Sequence, residues 1–370
     1  MRILKHLYII LKYMLDYNMV NKIQSIYDYK IASWWQLIDN NRIECQLCPR
    51  NCKIPCGSHG FCFIRKNING KLYNTAYGRM NGFANDPIEK KPLYHFYPGS
   101  TIYSFGTIGC NLGCKYCQNW HMSKSVNQQY LSKKYSAQDI VKFAQINNSI
   151  GIAYTYNDPI IFGEWVIDIA EQARHNGLKN VMVTNGYITS EARYDIFKNI
   201  DGVNVDLKAF SDRFYRKLTL SNLDPVLDTL RWLVNETNIW VEITTLIIPK
   251  QNDHPNELRS LSKFIVEELD PCIPLHFSAF HPDFKMLDVP PTPIITLKRA
   301  RDIALNEGLK FVYIGNVLND IGQDTICPSC GKIVIKRIGY TIYLIGMNEN
   351  KCVYCDTTIP GCFKNMVGQS

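Results

Sequence analysis

Three cysteines spaced C-x3-C-x2-C constrain this chain more than any other feature: Cys110, Cys114 and Cys117, in the string Cys110-Asn-Leu-Gly-Cys114-Lys-Tyr-Cys117. They follow an apolar, β-prone run over 102–108 and precede Gln118-Asn119-Trp120. A loop leaving a strand can bring three thiolates to one side of a small inorganic cluster. A cubane iron–sulfur cluster normally takes four cysteines. Three leave one iron open, much as a catalytic zinc keeps one position open for chemistry. The same spacing also suits three ligands of a closed structural zinc or iron–sulfur site whose fourth ligand lies elsewhere.

The chain does have cysteines to spare, 14 in 370 residues. Several sit in C-x2-C pairs, and no secretory signal with a small-residue cleavage site is visible, so metal binding in a reducing cytoplasm is expected over disulfides. Hydrophobic residues at 46% and charged residues at 20% describe an ordinary globular protein with enough length for a large core. The apolar patch over 7–11 is interrupted by Lys12 and Asp16. It falls well short of the ~20 residues that span a bilayer, and no membrane association is expected. Residues 1–27 read as an amphipathic extension, or as lying upstream of a start at Met14 or Met19. The formal charge of +8 is spread along the chain, which favours a solvated basic face over a nucleic-acid footprint.

Residues 28–100 read as a separate metal-bearing module followed by a linker. Cys45, Cys48, Cys52, Cys56 and Cys62 occupy 18 positions, with Pro49, Pro55, Gly57 and Gly60 supplying turns. Any four would make a zinc site or a four-cysteine iron–sulfur site, and spacing does not separate the two. The segment from Asp86 to Ser100 reads as a proline-bracketed linker; its acids, Lys90, Lys91 and His95 alternatively line an approach to a cofactor.

Over 101–318 short β-branched runs alternate with helical segments. The expected strands are 102–108, 151–156, 180–185, 202–207, 239–248, 274–280 and 310–315, and the expected helices 136–147, 160–176, 189–199, 211–235, 255–269 and 293–307. Apolar runs without period-2 alternation suit strands buried on both faces, and strand–helix repetition implies a parallel sheet. The fold class is therefore α/β, an incomplete (β/α) barrel with active groups at the C-terminal strand ends. Polar residues do gather there: Asn157 and Asp158, Asn185, Asp206 and Lys208, Glu242 and Thr244, His281 and Asn316. One such end is ordinary capping; these six, with the cysteine loop at the end of the first strand making seven, suit a polar cofactor site.

Residues 319–370 read as a zinc-ribbon-like domain. Cys327-x2-Cys330 and Cys352-x2-Cys355 are separated by 21 residues, with a β-hairpin between them turning near Gly339. Cys272 and Cys362 lack partners and are expected as buried free thiols.

Taken together, the strings Cys45-x2-Cys48-Pro-x2-Cys52, Asp86-Pro-Ile-Glu-Lys-Lys-Pro-Leu, Cys110-x3-Cys114-x2-Cys117-Gln-Asn-Trp, Tyr154-Thr-Tyr-Asn157 and Phe277-Ser-Ala-Phe-His281-Pro282 resemble the AmmeMemoRadiSam system radical SAM enzymes, as does the terminal ribbon. That family is similar to the pyruvate formate-lyase activating enzymes. The resemblance runs over about 30–362. It implies a [4Fe–4S] cluster on Cys110, Cys114 and Cys117 with S-adenosylmethionine (SAM) at the open iron, a one-electron donor, and a 5′-deoxyadenosyl radical that takes hydrogen from a substrate. Asn157, Asp158, Asn185, Asp206, Lys208 and His281 are the expected SAM contacts, with zinc at the terminal four cysteines. Cys45, Cys48, Cys52 and Cys62 are the preferred N-terminal set, because Cys56 stands where the family pattern has a non-ligand. The substrate stays open between a partner protein bearing a glycyl radical and an RNA or small molecule. A non-catalytic electron-transfer protein is the reading from outside enzymology.

Overall fold

The computed structural model describes residues 29–39, 41–124, 133–317 and 321–363. The expected extension over 1–27 lies outside the described residues. Eight strands form the central sheet. In chain order they are β1 (Asn81–Pro87), β2 (Thr101–Gly106), β3 (Gly151–Tyr154), β4 (Lys179–Thr184), β5 (Gly202–Asp206), β6 (Trp240–Ile247), β7 (Leu275–Ala279) and β8 (Val312–Gly315). Each strand pairs with the next along the sheet, from β1 at one edge to β8 at the other. From β2 to β8 every pairing is parallel. The two edges do not meet, so the barrel is open as expected.

The helices α1 (Ala137–Ile146), α2 (Gly163–His175), α3 (Ser190–Phe197), α4 (Asp224–Glu236), α5 (Pro255–Phe264) and α6 (Ile294–Asn306) fill the crossovers. Local sequence explains their starts. Ser136 and Asp139 form a reciprocal capping box at α1, and Pro255 takes the first turn of α5, where its missing N–H costs nothing. Strands such as β3 are buried at every position, which is why they read as apolar runs without alternation.

Three expectations need correcting. Asn81–Pro87, read as part of the segment leading to the barrel, is instead the antiparallel edge strand of the sheet, Asp86 pairing with Ile102. The helix expected over 211–235 is broken: a short turn at Asp212–Phe214 runs into a wide π turn at Tyr215–Thr219, then Leu220 adopts a left-handed φ of 55° before α4 begins. Pro225, in the first turn of α4, is tolerated there but would break a continuous helix. The N-terminal module, read as separate, has two three-stranded antiparallel sheets of its own (30–31, 65–68 and 71–74; 35–39, 42–45 and 53–54) but no separate core. Its Ile43, Leu47, Ile54 and Ile64 join the same buried cluster as Phe105, Ile161 and Trp165 of the barrel.

One side-chain pair locks the module down. Arg65 is buried and reaches Glu164 of α2 with two bonds, 2.7 and 3.0 Å, while Asn74 and the Ser33 N–H donate to the same carboxylate. At the other end, the hairpin Ile333–Ile338 and Thr341–Tyr343 turns at Gly339 (φ +57°), as expected. Cys327, Val334, Ile335 and Cys352 pack against Tyr94, Phe311 and Tyr313, so this segment is docked on the barrel's last strand. Cys272 and Cys362 are half-buried rather than buried. No helix among the described residues is long and apolar enough to cross a membrane.

Candidate functional site

The loop leaving β2 is held from three sides. Gly109 has φ +83°, and a Cβ there would lie 2.1 Å from the Cys62 carbonyl oxygen, so only glycine allows this approach. Gly113 faces Leu220 at 2.6 Å on the same measure. Gly113 and Lys115 donate backbone N–H groups to the carbonyls of Thr219 and Leu218, at 2.7 and 2.9 Å. The broken helix thus has a use: its π turn frees carbonyls that dock the cysteine loop.

Cys110, Cys114 and Cys117 line one cavity of about 320 Å³, together with Lys90, Lys91, Asn157, Asp158, Asn185, Asp206 and Lys208. Burial pushes the Cys110 thiol up to about 12 and raises Cys114, with Lys124 and Lys208 working in the opposite direction. Thiols held neutral in this way release protons when a metal takes them.

The expected contacts divide into groups that build the cavity and groups that face it. Asn157 is committed to the loop: its Oδ1 accepts from Thr107 N–H at 2.9 Å, and its Nδ2 donates to Thr107 Oγ1 and the Gly109 carbonyl at 3.0 and 2.9 Å. Asp158 accepts from the Asn185 and Ile160 N–H groups at 2.7 and 3.0 Å and from Thr184 Oγ1. Burial nevertheless lifts it to about 6, the N–H donors opposing. Asn185 donates to Asn111 Oδ1 at 2.8 Å, tying β4 to the residue after Cys110. Asp206 and Lys208 pair at 2.6 Å on the cavity wall. Burial works against the Lys208 charge, but Asp206 and the neighbouring thiols outweigh it and raise its pKa.

Two expected residues lie elsewhere. His281 is exposed, interacts with the Asn316 carbonyl at 3.2 Å, and lines a second cavity of about 760 Å³. Glu242 is buried away from the thiols, accepting from the Tyr94 and His95 N–H groups and pairing with His276 at 2.6 Å. His95 is not on a cofactor approach either: it is buried between Tyr313 OH and the Pro360 carbonyl, at 2.6 and 2.7 Å. Lys90 and Lys91 do reach the cavity, Lys91 pairing with Asp86 at 2.7 Å beneath the Tyr156 ring.

Two residues not singled out from the sequence also hold the cysteine loop. Lys124 donates to the Leu112 carbonyl. Trp120 stacks on Phe284 at 5.5 Å and donates to Asp283 at 3.1 Å, linking the cysteine loop to the loop after β7. The string Gln-Asn-Trp after the cysteines was the available signal. Thr244 and Ser278 stand between the two cavities and line both.

The four terminal cysteines converge much more tightly. Their sulfurs all lie within 4.8 Å of one another, with Cys327 and Cys355 at 3.5 Å and Cys330 and Cys352 at 3.7 Å. A tetrahedron of thiolates around one ion at about 2.3 Å has edges near 3.8 Å, so this set fits a single metal ion. Cys110, Cys114 and Cys117 instead line the wall of a much larger space, the 320 Å³ cavity. That arrangement suits a larger cluster with one position open to the cavity.

An uncharacterised protein of Methanocaldococcus jannaschii is 43% identical over 330 residues, 89% of this chain and 98% of that protein. The Radical SAM superfamily model matches residues 105–261, from the end of β2 through the cysteine loop to α5. The chain belongs to the radical SAM superfamily. It is also 26% identical over 200 residues to the pyruvate formate-lyase-activating enzyme of Clostridium pasteurianum, 49% of this chain and 80% of that one. A crystal structure of a domain of pyruvate-formate lyase-activating enzyme from Bacteroides vulgatus aligns with a TM-score of 0.40 at 16% identity, covering 45% of this chain and 99% of that one. The radical SAM match spans the loop and the polar ends of β3, β4 and β5, which line most of the 320 Å³ cavity, and the broken helix on which the loop is docked.

Proposed function

We propose that this radical SAM chain is a SAM-cleaving enzyme of the AmmeMemoRadiSam system type, with a [4Fe–4S] cluster on Cys110, Cys114 and Cys117 and SAM in the adjoining cavity. The observation that carries this reading is the shared wall: three thiols and five polar strand-end residues line one space. When bound, such a cluster would supply the one electron that reductive cleavage of SAM to methionine and a 5′-deoxyadenosyl radical requires.

The chain's own residues then have distinct tasks. Asn157 holds the loop in shape. Asp158, committed to β4 backbone and hydroxyl donors, fixes the floor against which Asn185 and Asn111 meet. Asp206 and Lys208 face the cavity with opposite charges, suiting the ammonium and carboxylate of an amino acid portion or the hydroxyls of a ribose. The hydrogen donor enters through the second cavity, between β7, β8 and the C-terminal hairpin, where Thr244 and Ser278 connect it to the first. His281 serves there, on the substrate side.

The likeness to pyruvate formate-lyase-activating enzyme favours a partner protein that receives a glycyl radical, and an external one-electron donor. On this reading the chain has three functional units, a thiol-bearing module over 28–100, the barrel over 101–318 and a zinc-holding ribbon over 319–370. Zinc suits the terminal set because all four positions are taken and none is left for chemistry.

The test is anaerobic. Protein reconstituted with iron and sulfide is reduced with dithionite and given SAM, and 5′-deoxyadenosine is quantified. The expected result is product from the wild type and none from the Cys110→Ala, Cys114→Ala, Cys117→Ala triple variant. The reading is overturned if an iron-replete wild type makes no product and SAM leaves its electron paramagnetic resonance spectrum unchanged.

A further inference from the structure

The cysteine loop has an outer side as well as the side that lines the cavity. Lys115 directly follows Cys114, and its backbone is clamped between two neighbours. Its N–H donates to the Leu218 carbonyl, and its carbonyl accepts from the Lys285 N–H, both at 2.9 Å. Farther along the loop, Trp120 stacks on Phe284. The loop, the π turn at Tyr215–Thr219 and the segment after β7 therefore meet in one surface over the thiol-bearing backbone.

That surface combines exposed apolar side chains with unpaired positive charge. Trp120, Leu220 and Leu287 lie on it at 43%, 44% and 71% exposure. Lys115, Arg213, Lys217 and Lys285 stand around them, and among the described residues none of the four is in an ion pair. Elsewhere cations are spent on carboxylates, as Lys30, Lys91, Lys179 and Arg231 are. Some acid is present here too: Asp212 pairs with Arg216 at 3.3 Å, Asp283 accepts from Trp120, and Asp288 is exposed. Over 113–120, 212–220 and 283–288 five cations stand against these three carboxylates, so the surface stays positive.

None of these apolar or unpaired basic side chains lines the 320 Å³ or the 760 Å³ cavity. A molecule resting on them borders the cysteine loop from outside, which does not suit a substrate whose atoms must reach the cavities. An electron needs no opening, because the Lys115 backbone is bonded directly to Cys114. An apolar centre within a charged rim is the anatomy of a protein interface, and opposite charge across it speeds encounter. Redox encounters are also small, below about 1,200 Å² of total buried area, so three apolar side chains suffice as a centre.

We propose that this surface is the docking site of the electron donor, an acidic one-electron carrier protein whose reduced centre faces Lys115. The carrier loses one electron and the cluster on Cys110, Cys114 and Cys117 gains it, with no atom or proton exchanged. The purpose of this docking rests on the cluster reading above; the binding itself does not.

The test titrates full-length, anaerobically reconstituted protein with two oxidised acidic carriers, a flavodoxin and a plant-type [2Fe–2S] ferredoxin, by calorimetry. Binding of at least one is expected at low salt and its loss at high salt, since the screening length falls from about 10 Å at 0.1 M to about 3 Å at 1 M. The Arg213→Glu, Lys217→Glu, Lys285→Glu variant is expected to bind at least about tenfold more weakly. Lys142→Glu, Lys263→Glu, which reverses exposed charges on α1 and α5, is expected to bind like wild type. Stopped-flow reduction by the pre-reduced carrier should slow in the first variant alone, while dithionite, a small molecule, reduces all three proteins alike. The proposal is overturned if neither carrier binds at low salt, or if the first variant binds and accepts electrons as wild type does. If the carrier binds through these charges while wild type makes no 5′-deoxyadenosine with dithionite, the SAM reading fails and the docking surface stands. If dithionite supports product and charge reversal changes nothing, the SAM reading stands and this one fails.

Discussion

Gly109 lies against the carbonyl oxygen of Cys62, and the contact leaves no space for a methyl group. The two residues are 47 positions apart, and they join the module bearing one set of thiols to the loop bearing another. Gly109→Ala faces both the clash and a φ of +83°, and is expected to cost more than ~1 kcal/mol. Reconstituted iron should fall at the Cys110–Cys117 loop, because the loop and the module must part to admit the side chain. Metal analysis beside urea denaturation checks this. An alanine variant with full iron content and wild-type stability would contradict the close approach.

Asn157 spends its amide on the cysteine loop. Asn157→Ala strands the Thr107 N–H and the Gly109 carbonyl, at about 1–3 kcal/mol for each buried group left unpaired. Asn157→Asp keeps an acceptor for Thr107 but turns a carboxylate oxygen toward the Gly109 carbonyl, and is expected to be no better. Both variants retain the three thiols, yet iron should leave them about tenfold faster in the presence of a chelator, the equivalent of one lost hydrogen bond. Chelator-challenge kinetics on the anaerobic protein measure it.

Arg65 and Glu164 test the anchoring of the N-terminal module. Both side chains are buried, and removing one leaves the other's charge unpaired. Glu164→Ala is expected to lose about 3–5 kcal/mol. The Arg65→Met, Glu164→Leu double variant should recover much of that loss, since it leaves no buried charge. Urea titrations of the single and double variants decide whether the pair or only the absence of a lone charge matters.

His95 makes docking of the C-terminal segment depend on pH. Burial lowers its folded pKa from 6.5 to about 4; Glu242 pulls the other way, while Arg337 and His276 add to the lowering. The unfolded chain therefore binds a proton below pH 6.5 that the folded chain refuses until about pH 4. Stability is fully present above 6.5 and declines as pH falls through that window, by on the order of 3 kcal/mol. His95→Gln, which keeps hydrogen-bonding capacity but cannot titrate, should flatten the dependence between pH 4 and 6.5. Urea midpoints across that range, compared with wild type, measure the difference.

The order of strands and helices and the places where cysteines cluster were legible in the sequence because they depend on local chemistry. Apolar runs such as Gly202–Asp206 announce buried strands, and C-x3-C-x2-C brings three thiolates together through the loop alone. The polar strand ends were likewise legible, since each caps a strand wherever the strand lies. What each polar residue does there was not. Asn157 and Asn185 read as ligand contacts, yet their amides are spent on Thr107, Gly109 and Asn111, which are 50, 48 and 74 positions away. No local pattern specifies such pairings.

Tertiary structure alone decided the rest. It made Asn81–Pro87 an edge strand by pairing it antiparallel with Thr101–Gly106, on the side away from β3. It broke the expected helix at Leu220, where the carbonyls of Leu218 and Thr219 pair with the cysteine loop. It also moved His281 away from the thiols and set the N-terminal cysteines against Gly109. Ligand identity is written in residue types, and sequence determines it. The spacing of sulfurs around a centre, and which site shares a wall with which, come from packing between segments far apart in the chain, and only the folded chain settles them.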